Sequence, residues 1–152
     1  MALGVGTIGF FLLYSASFDA TPITLLSAEL TRYTLAWFGV DVHRIGTQIV
    51  HDGGFICTVG VECTIVLPLA ALWIALAVAP LHWRQRARSA LFGALLITLV
   101  NTVRLDHLVW IGIHTPEQLD LWHHVIWRTV MIVLPLGVFA FATRAPRQAE
   151  AP

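Results

Sequence analysis

From Ser89 to Gly112 the chain reads SALFGALLITLVNTVRLDHLVWIG. Such a run meets the roughly 20 apolar residues that a helix needs to cross a bilayer, yet it carries Asn101 and Arg104 inside it. An ionisable residue in hydrocarbon is costly, so Arg104 marks a functional site before any motif is considered. Three more apolar runs of this kind occur, from Ala2 to Phe18, from Val61 to Ala79 and from Leu119 to Ala142. With 57% of residues apolar and 12% charged, those runs need lipid as their solvent. The sequence therefore predicts an all-α membrane protein of about four transmembrane helices, forming one domain over residues 1–152. Its core would lie between helices, with no room for a separate soluble catalytic domain. The first run is short, and SAS at Ser15 to Ser17 could pass for a signal-peptidase site; no basic stretch precedes it, so an uncleaved anchor is expected. A formal net charge of zero argues against nucleic acid as a partner.

Orientation follows from arginine, the only basic residue apart from histidine that the chain uses. LHWRQRARS, between the second and third runs, carries Arg84, Arg86 and Arg88, and the tail carries Arg144 and Arg147. The connection from Ile113 to Gln118 has none. Basic loops stay in the cytoplasm, so the stretch from Asp19 to Gly60 is expected on the outer face of the cell membrane. The second helix then enters from outside near Cys63, the third leaves past Asn101 and Arg104, and the fourth re-enters near His123. At 1.5 Å per residue, Arg104 lies roughly 12 Å before the outer end of its helix. Topology alone thus brings Cys63, Arg104 and His123 to one face of the membrane.

The outer stretch, residues 19–60, looks ordered. In TPITLLSAELTRYTLAWFG, Thr21 and Pro22 suit an N-cap and first helical position, and Gly39 suits the stop. Ile23, Leu26, Leu30, Tyr33 and Trp37 recur at helical spacing, which predicts an amphipathic helix on the outer surface with Trp and Tyr at headgroup level. From Val40 to Val59, β-formers flank the turn residues Asp52, Gly53 and Gly54, which predicts a short β-hairpin over the site.

Thr115, Pro116 and Gln118 form a capping-box pattern ahead of the fourth run, with Glu117 and Asp120 where the helix dipole favours negative charge. His123 would share a face with Asp120 and Trp127, and His124 with Asp120 and Arg128, so geometry does not choose between the two histidines. Asn101, Arg104 and His107 share one stripe, which lets Asn101 orient Arg104. A thiol, a guanidinium and an imidazole together suit nucleophilic acyl transfer.

Three stretches carry a family resemblance: GGFICTVGVECTIVLPLAALWIALAVAP, then NTVRL, then LDLWHHVIWR. Together they resemble the exosortases and archaeosortases, membrane-embedded cysteine transpeptidases, and the likeness runs from Thr21 to Ala142. The chain resembles the short, core-only members more than the larger exosortases. The resemblance implies a catalytic Cys63 in ECT, Arg104 in NTVR and His123 in the LD-x-x-H-x-x-x-W pattern, choosing His123 over His124. Asn101, His124 and Asp120 are then supporting residues. The chain departs from the family pattern at Ile65, where Gly is usual, at Leu119, where an aromatic is expected, and at Leu105. What the resemblance implies is proteolysis of exported proteins that bear a C-terminal transmembrane sorting tail, with transfer to an acceptor. Cys63 would form a thioester, Arg104 would favour the thiolate or stabilise the oxyanion, and His123 would act as base and then acid. No cofactor is implied.

Duller readings compete. Cys57 and Cys63 could pair as a disulfide in an oxidising compartment. Arg104 could serve an ion pair with Asp106, and Asp106 could instead pair with Arg128. Trp110, Trp122 and Trp127 suit an interfacial belt. The histidines lack the HxxH, HExxH or paired CxxC spacing of a metal site, so no metal is expected. A non-catalytic membrane subunit, anchoring haem or quinone or binding substrate helices without cutting, is the rival function.

Overall fold

The computed structural model describes residues 19–144; the expected first span, Ala2 to Phe18, and the tail end with Arg147 lie outside them. Helix α1 (Thr21–Trp37) starts at Thr21 itself, one residue before the expected first helical position, with Ala20 as its N-cap. The Asp19 carboxylate, not Thr21, accepts the Thr21 N–H at 2.9 Å, with Pro22 in the first turn. The helix stops at Gly39, whose φ of 74° lets the Val40 N–H reach the Leu35 carbonyl at 3.0 Å. Thr24, Ala28, Thr31 and Leu35 form its buried face. Thr24 and Thr31 return their hydroxyl protons to helix carbonyls, so small polar residues can be buried there without an unpaired donor. The expected apolar stripe is the uncovered one: Leu26 and Tyr33 are exposed and Trp37 is 93% exposed.

The expected hairpin is part of a three-stranded antiparallel meander, β1 (Val42–Ile45), β2 (Gln48–His51) and β3 (Ile56–Thr58). The Asp52 to Gly54 turn joins β2 to β3 as predicted. The added strand comes from a second turn at Gly46, where φ is 62°. Arg44 and Arg32 both pair with Glu29, which ties β1 to α1.

The run expected to span from Val61 to Ala79 is interrupted. Val61–Cys63 is a single 3₁₀ turn, Thr64 is extended, and helix α2 covers only Val66–Val78. At 1.5 Å per residue α2 is roughly 20 Å long, short of a typical hydrocarbon core. Helix α3 (Trp83–His114) is longer than expected at both ends and absorbs the LHWRQRARS arginines into its first turns. After a 3₁₀ turn at Pro116–Gln118 and a π-helical turn at Leu121–Ile126, helix α4 runs from Trp127 to Arg144. The Thr115 side chain makes no cap bond, so the expected capping box is replaced by the 3₁₀ turn, in which Gln118 N–H bonds the Thr115 carbonyl.

Trp83–His114 and Pro116–Arg144 are each long and apolar enough to cross a bilayer, and only 39% and 22% of their most apolar windows are buried. A soluble core helix would be mostly covered; here Leu91, Leu95, Leu99, Ile132, Val133 and Leu136 face outward in bands suited to lipid. Gly93 lets α2 and α3 approach closely, since a Cβ there would collide with Leu72. At the arginine-rich end, Arg86 donates to the Ala79 carbonyl and Gln85 to the Ala142 carbonyl, which joins the ends of α2, α3 and α4. Two cores result. One packs Leu72, Leu76, Ile97, Met131 and Val138 between helices; the other packs Ala28, Leu35, Val42, Ile49 and Val109 under the meander.

Candidate active site

Cys63 sits where those cores meet. It belongs to the meander-side core, while Ile65, two residues on, packs against the helical one. The turn that carries it is held from within: Cys63 N–H bonds the Gly60 carbonyl at 3.0 Å and the Thr64 hydroxyl bonds the Val61 carbonyl at 2.7 Å. Val66 N–H reaches the same hydroxyl at 3.4 Å, so Thr64 both closes the turn and starts α2. Sequence reasoning passed over Thr64; its signal was a threonine directly ahead of an apolar helical run. Ile65, the departure from the family's glycine, has φ −76° and ψ −6°, a conformation open to any L-residue, so no glycine is needed there.

Helix α3 grips the turn from the other side. Asn101 Nδ2 donates to the Cys63 carbonyl at 3.0 Å and Arg104 Nη1 to the Glu62 carbonyl at 3.3 Å. The expected role of Asn101, orienting Arg104, is thus replaced by holding the cysteine backbone. Asn101 and Arg104 are only 3% and 5% exposed. Arg104 makes no ion pair among the described residues, and its Nε has no partner. A buried cation without a counter-ion is costly, and it retains unspent donors for an anion. Asp106 pairs with neither Arg104 nor Arg128 as the alternatives supposed; it accepts from the Thr34 hydroxyl at 2.7 Å, linking α3 to α1.

The π-helical turn carries both candidate histidines. His123 Nε2 lies 3.9 Å from Cys63 Sγ. Its Nδ1 lies 3.3 Å from His124 Nε2, which in turn is 3.6 Å from the Asp120 carboxylate. The wider turn also explains Trp122 and Trp127, five residues apart, which both pack edge-on against His107 at 4.5 and 5.7 Å. Trp127 Nε1 donates to His107 Nδ1 at 3.0 Å, so His107 is engaged by the π-helical turn, and Trp127 serves packing rather than a belt. Trp110 is exposed and stacks on His114 at 4.0 Å.

Cys57 and Cys63 are both free thiols, which removes the disulfide reading. Burial in β3 pushes the Cys57 thiol up to about 11, the neighbouring Cys63 adding to the effect and Arg104 opposing it. Among the described residues no cluster of three His, Cys, Asp or Glu side chains could hold a metal.

Two cavities meet at His123. One, of about 530 Å³, runs between α2 and α4 from Arg104, Glu62 and Arg128 down to apolar walls. The other, of about 410 Å³, lies between β3 and the 116–124 segment and contains Cys63, His123, His124 and Asp120. The family model described as transmembrane exosortase matches residues 1–141, a stretch that includes every residue of this site. The chain belongs to the exosortase family. Exosortase membership supports a cysteine-dependent membrane transpeptidase or protease role in general. No curated protein and no solved structure matches the chain.

Proposed function

We propose that this exosortase cleaves, and transfers, exported proteins through a thioester on Cys63. The observation that carries this reading is the 3.9 Å approach of His123 Nε2 to Cys63 Sγ beside Arg104, whose Nε has no partner among the described residues. His123 takes the thiol proton, and the thiolate attacks the scissile carbonyl. The backbone N–H of Cys63 and that of Thr64 are both spent inside their own turn, so neither is free to hold the oxyanion. Arg104 is the buried donor that remains. Collapse releases the amine, which takes the proton from His123 and leaves the acyl group on sulfur. An acceptor amine or water then attacks the thioester, gives its proton to His123 and restores the thiol.

The groove between α2 and α4 suits a substrate's transmembrane tail. Ala71 and Ala75 on α2 face Met131, Ile132 and Pro135 on α4 across it, and small residues allow close helix approach. Pro135 also leaves its helix without one backbone bond on that side. Orientation with the site outside the cell is supported by charge. Arg84, Arg86, Arg88 and Arg144 gather at the end of the bundle joined by Gln85 and Ala142, whereas Cys63 and His123 belong to the other end.

The test is the intact mass of a tail-bearing exported protein co-expressed with wild type and with Cys63→Ala, Arg104→Ala and His123→Ala. Loss of the tail with wild type alone is expected, and added mass identifies the acceptor. A tail removed equally by Cys63→Ala refutes the thiol mechanism.

A further inference from the structure

The meander ends in an open edge beside the nucleophile. In the sheet order β1-β2-β3, strand β3 has a neighbour on one side only among the described residues. His51 N–H bonds the Phe55 carbonyl and Val59 N–H bonds the Thr47 carbonyl, each at 2.9 Å, with Ile49 opposite Cys57 between them. Antiparallel pairs alternate, so Phe55, Cys57 and Val59 turn their backbone groups toward β2. Ile56 and Thr58 turn theirs away. Both residues are exposed, and both line the 410 Å³ cavity that also contains Cys63 and His123. Its far wall is the 116–124 segment, with Pro116 and Leu119 supplying apolar surface and Asp120 and His124 the polar groups, and Leu108 of α3 also lines it.

We infer that a substrate segment next to the scissile bond binds as a fourth strand along β3, which lays its carbonyl against Cys63; this rests on the peptidase reading above. An exposed strand edge is a template for an extended chain, whose main-chain groups supply affinity whatever its side chains. The nucleophile imposes the same requirement, because a peptide carbonyl inside a helix is shielded from attack while one in an extended strand is open on its faces. The two cavities then divide the substrate at His123: extended chain in the β3 cleft, helical tail in the groove between α2 and α4. With a rise of about 3.4 Å per residue, β3 seats about three substrate residues. Every second one of them would exchange hydrogen bonds with Ile56 and Thr58.

The prediction has a period of two, which supplies its test. A tail-bearing substrate cleaved by the wild-type protein in lipid nanodiscs is resynthesised with one N-methyl amide moved residue by residue away from the cleavage point. N-methylation at alternate positions should raise KM roughly tenfold, the net worth of one hydrogen bond, with the positions between them little changed. On the protein side, Ile56→Pro removes an outward donor and leaves the β2 ladder intact, the one setting in which a strand tolerates proline. It should raise KM by a similar factor at unchanged kcat and thermal midpoint. A scan without alternation, while Cys63-dependent cleavage persists, overturns strand docking and leaves the peptidase reading standing. Should Ile56→Pro misfold, the N-methyl scan decides alone, since it leaves the protein untouched. Cleavage that survives Cys63→Ala overturns both readings.

Discussion

Replacing Asn101 by leucine separates the positioning of Cys63 from the stability of the bundle. The side chain is 3% exposed and its Nδ2 donates to the Cys63 carbonyl at 3.0 Å, so Asn101→Leu leaves that carbonyl unpaired. A buried polar group that loses its partner costs about 1–3 kcal/mol. The Asn101 Oδ1 has no partner among the described residues, and removing it recovers part of that cost. The net stability loss is therefore expected near the low end, about 1 kcal/mol. Turnover should suffer more. With one of the two clamps from α3 gone and only the Arg104 to Glu62 bond tying the turn to that helix, Sγ is free to move relative to His123. A misplacement of about 1 Å costs on the order of 10²-fold in rate, so kcat should fall roughly 10- to 100-fold with KM little changed. Cleavage kinetics in nanodiscs and thermal unfolding of the same preparation give both numbers. A folded variant with wild-type kcat would refute the clamp, and a fall confined to KM would place Asn101 in substrate binding.

Other consequences follow from the same geometry. Arg104→Lys keeps a charge but loses the fork that holds the Glu62 carbonyl while leaving donors for an oxyanion, so kcat should drop about 10²-fold; an unchanged kcat would show that charge alone suffices. His124→Ala removes the partner of His123 Nδ1 and should lower kcat by roughly tenfold, that of one hydrogen bond, with partial rescue by His124→Gln; no loss would separate His124 from the site. Gly112→Ala drives a methyl into the Phe55 ring that anchors the β2–β3 turn to α3, so stability should fall by about 1–3 kcal/mol, read as a lower thermal midpoint. In Cys63→Ala protein Cys57 is the only thiol. In the intact protein its thiol is raised to about 11, mainly by burial, which the substitution leaves in place, so over the alkaline range below that point the thiolate gains about tenfold per pH unit. Alkylation should climb steeply from pH 8 to 10, and a plateau near pH 8.5 would contradict burial of that thiol.

Much of the site was legible because topology and residue cost work at the same scale. An arginine inside an apolar run, a cysteine at the head of another and a histidine at the head of a third converge by alternation of spans alone, and the structure brings all three together. What escaped the sequence was local geometry. The π-helical turn at Leu121–Ile126 does not follow a 3.6-residue period, so pairing His123 with Trp127 on one face could not be right. The turn at Gly46 went unread, so β1 and β2 looked like a single arm of the hairpin and the third strand was missed. The start of α2 was misread because Val61, Cys63 and Ile65 are as apolar as the helix after them; the Thr64 hydroxyl, not hydropathy, sets the boundary. Asn101 was found on the right stripe with the wrong partner, since spacing along one helix says nothing about a carbonyl on another element.

The most direct measurement is the intact mass of the enzyme itself, acid-quenched during cleavage of a tail-bearing substrate in nanodiscs. The account predicts an acyl adduct on Cys63 that hydroxylamine removes, absent in Cys63→Ala and accumulating in wild type when the acceptor amine is withheld. Cleaved substrate with no adduct on Cys63, or an adduct on Cys57, would contradict it.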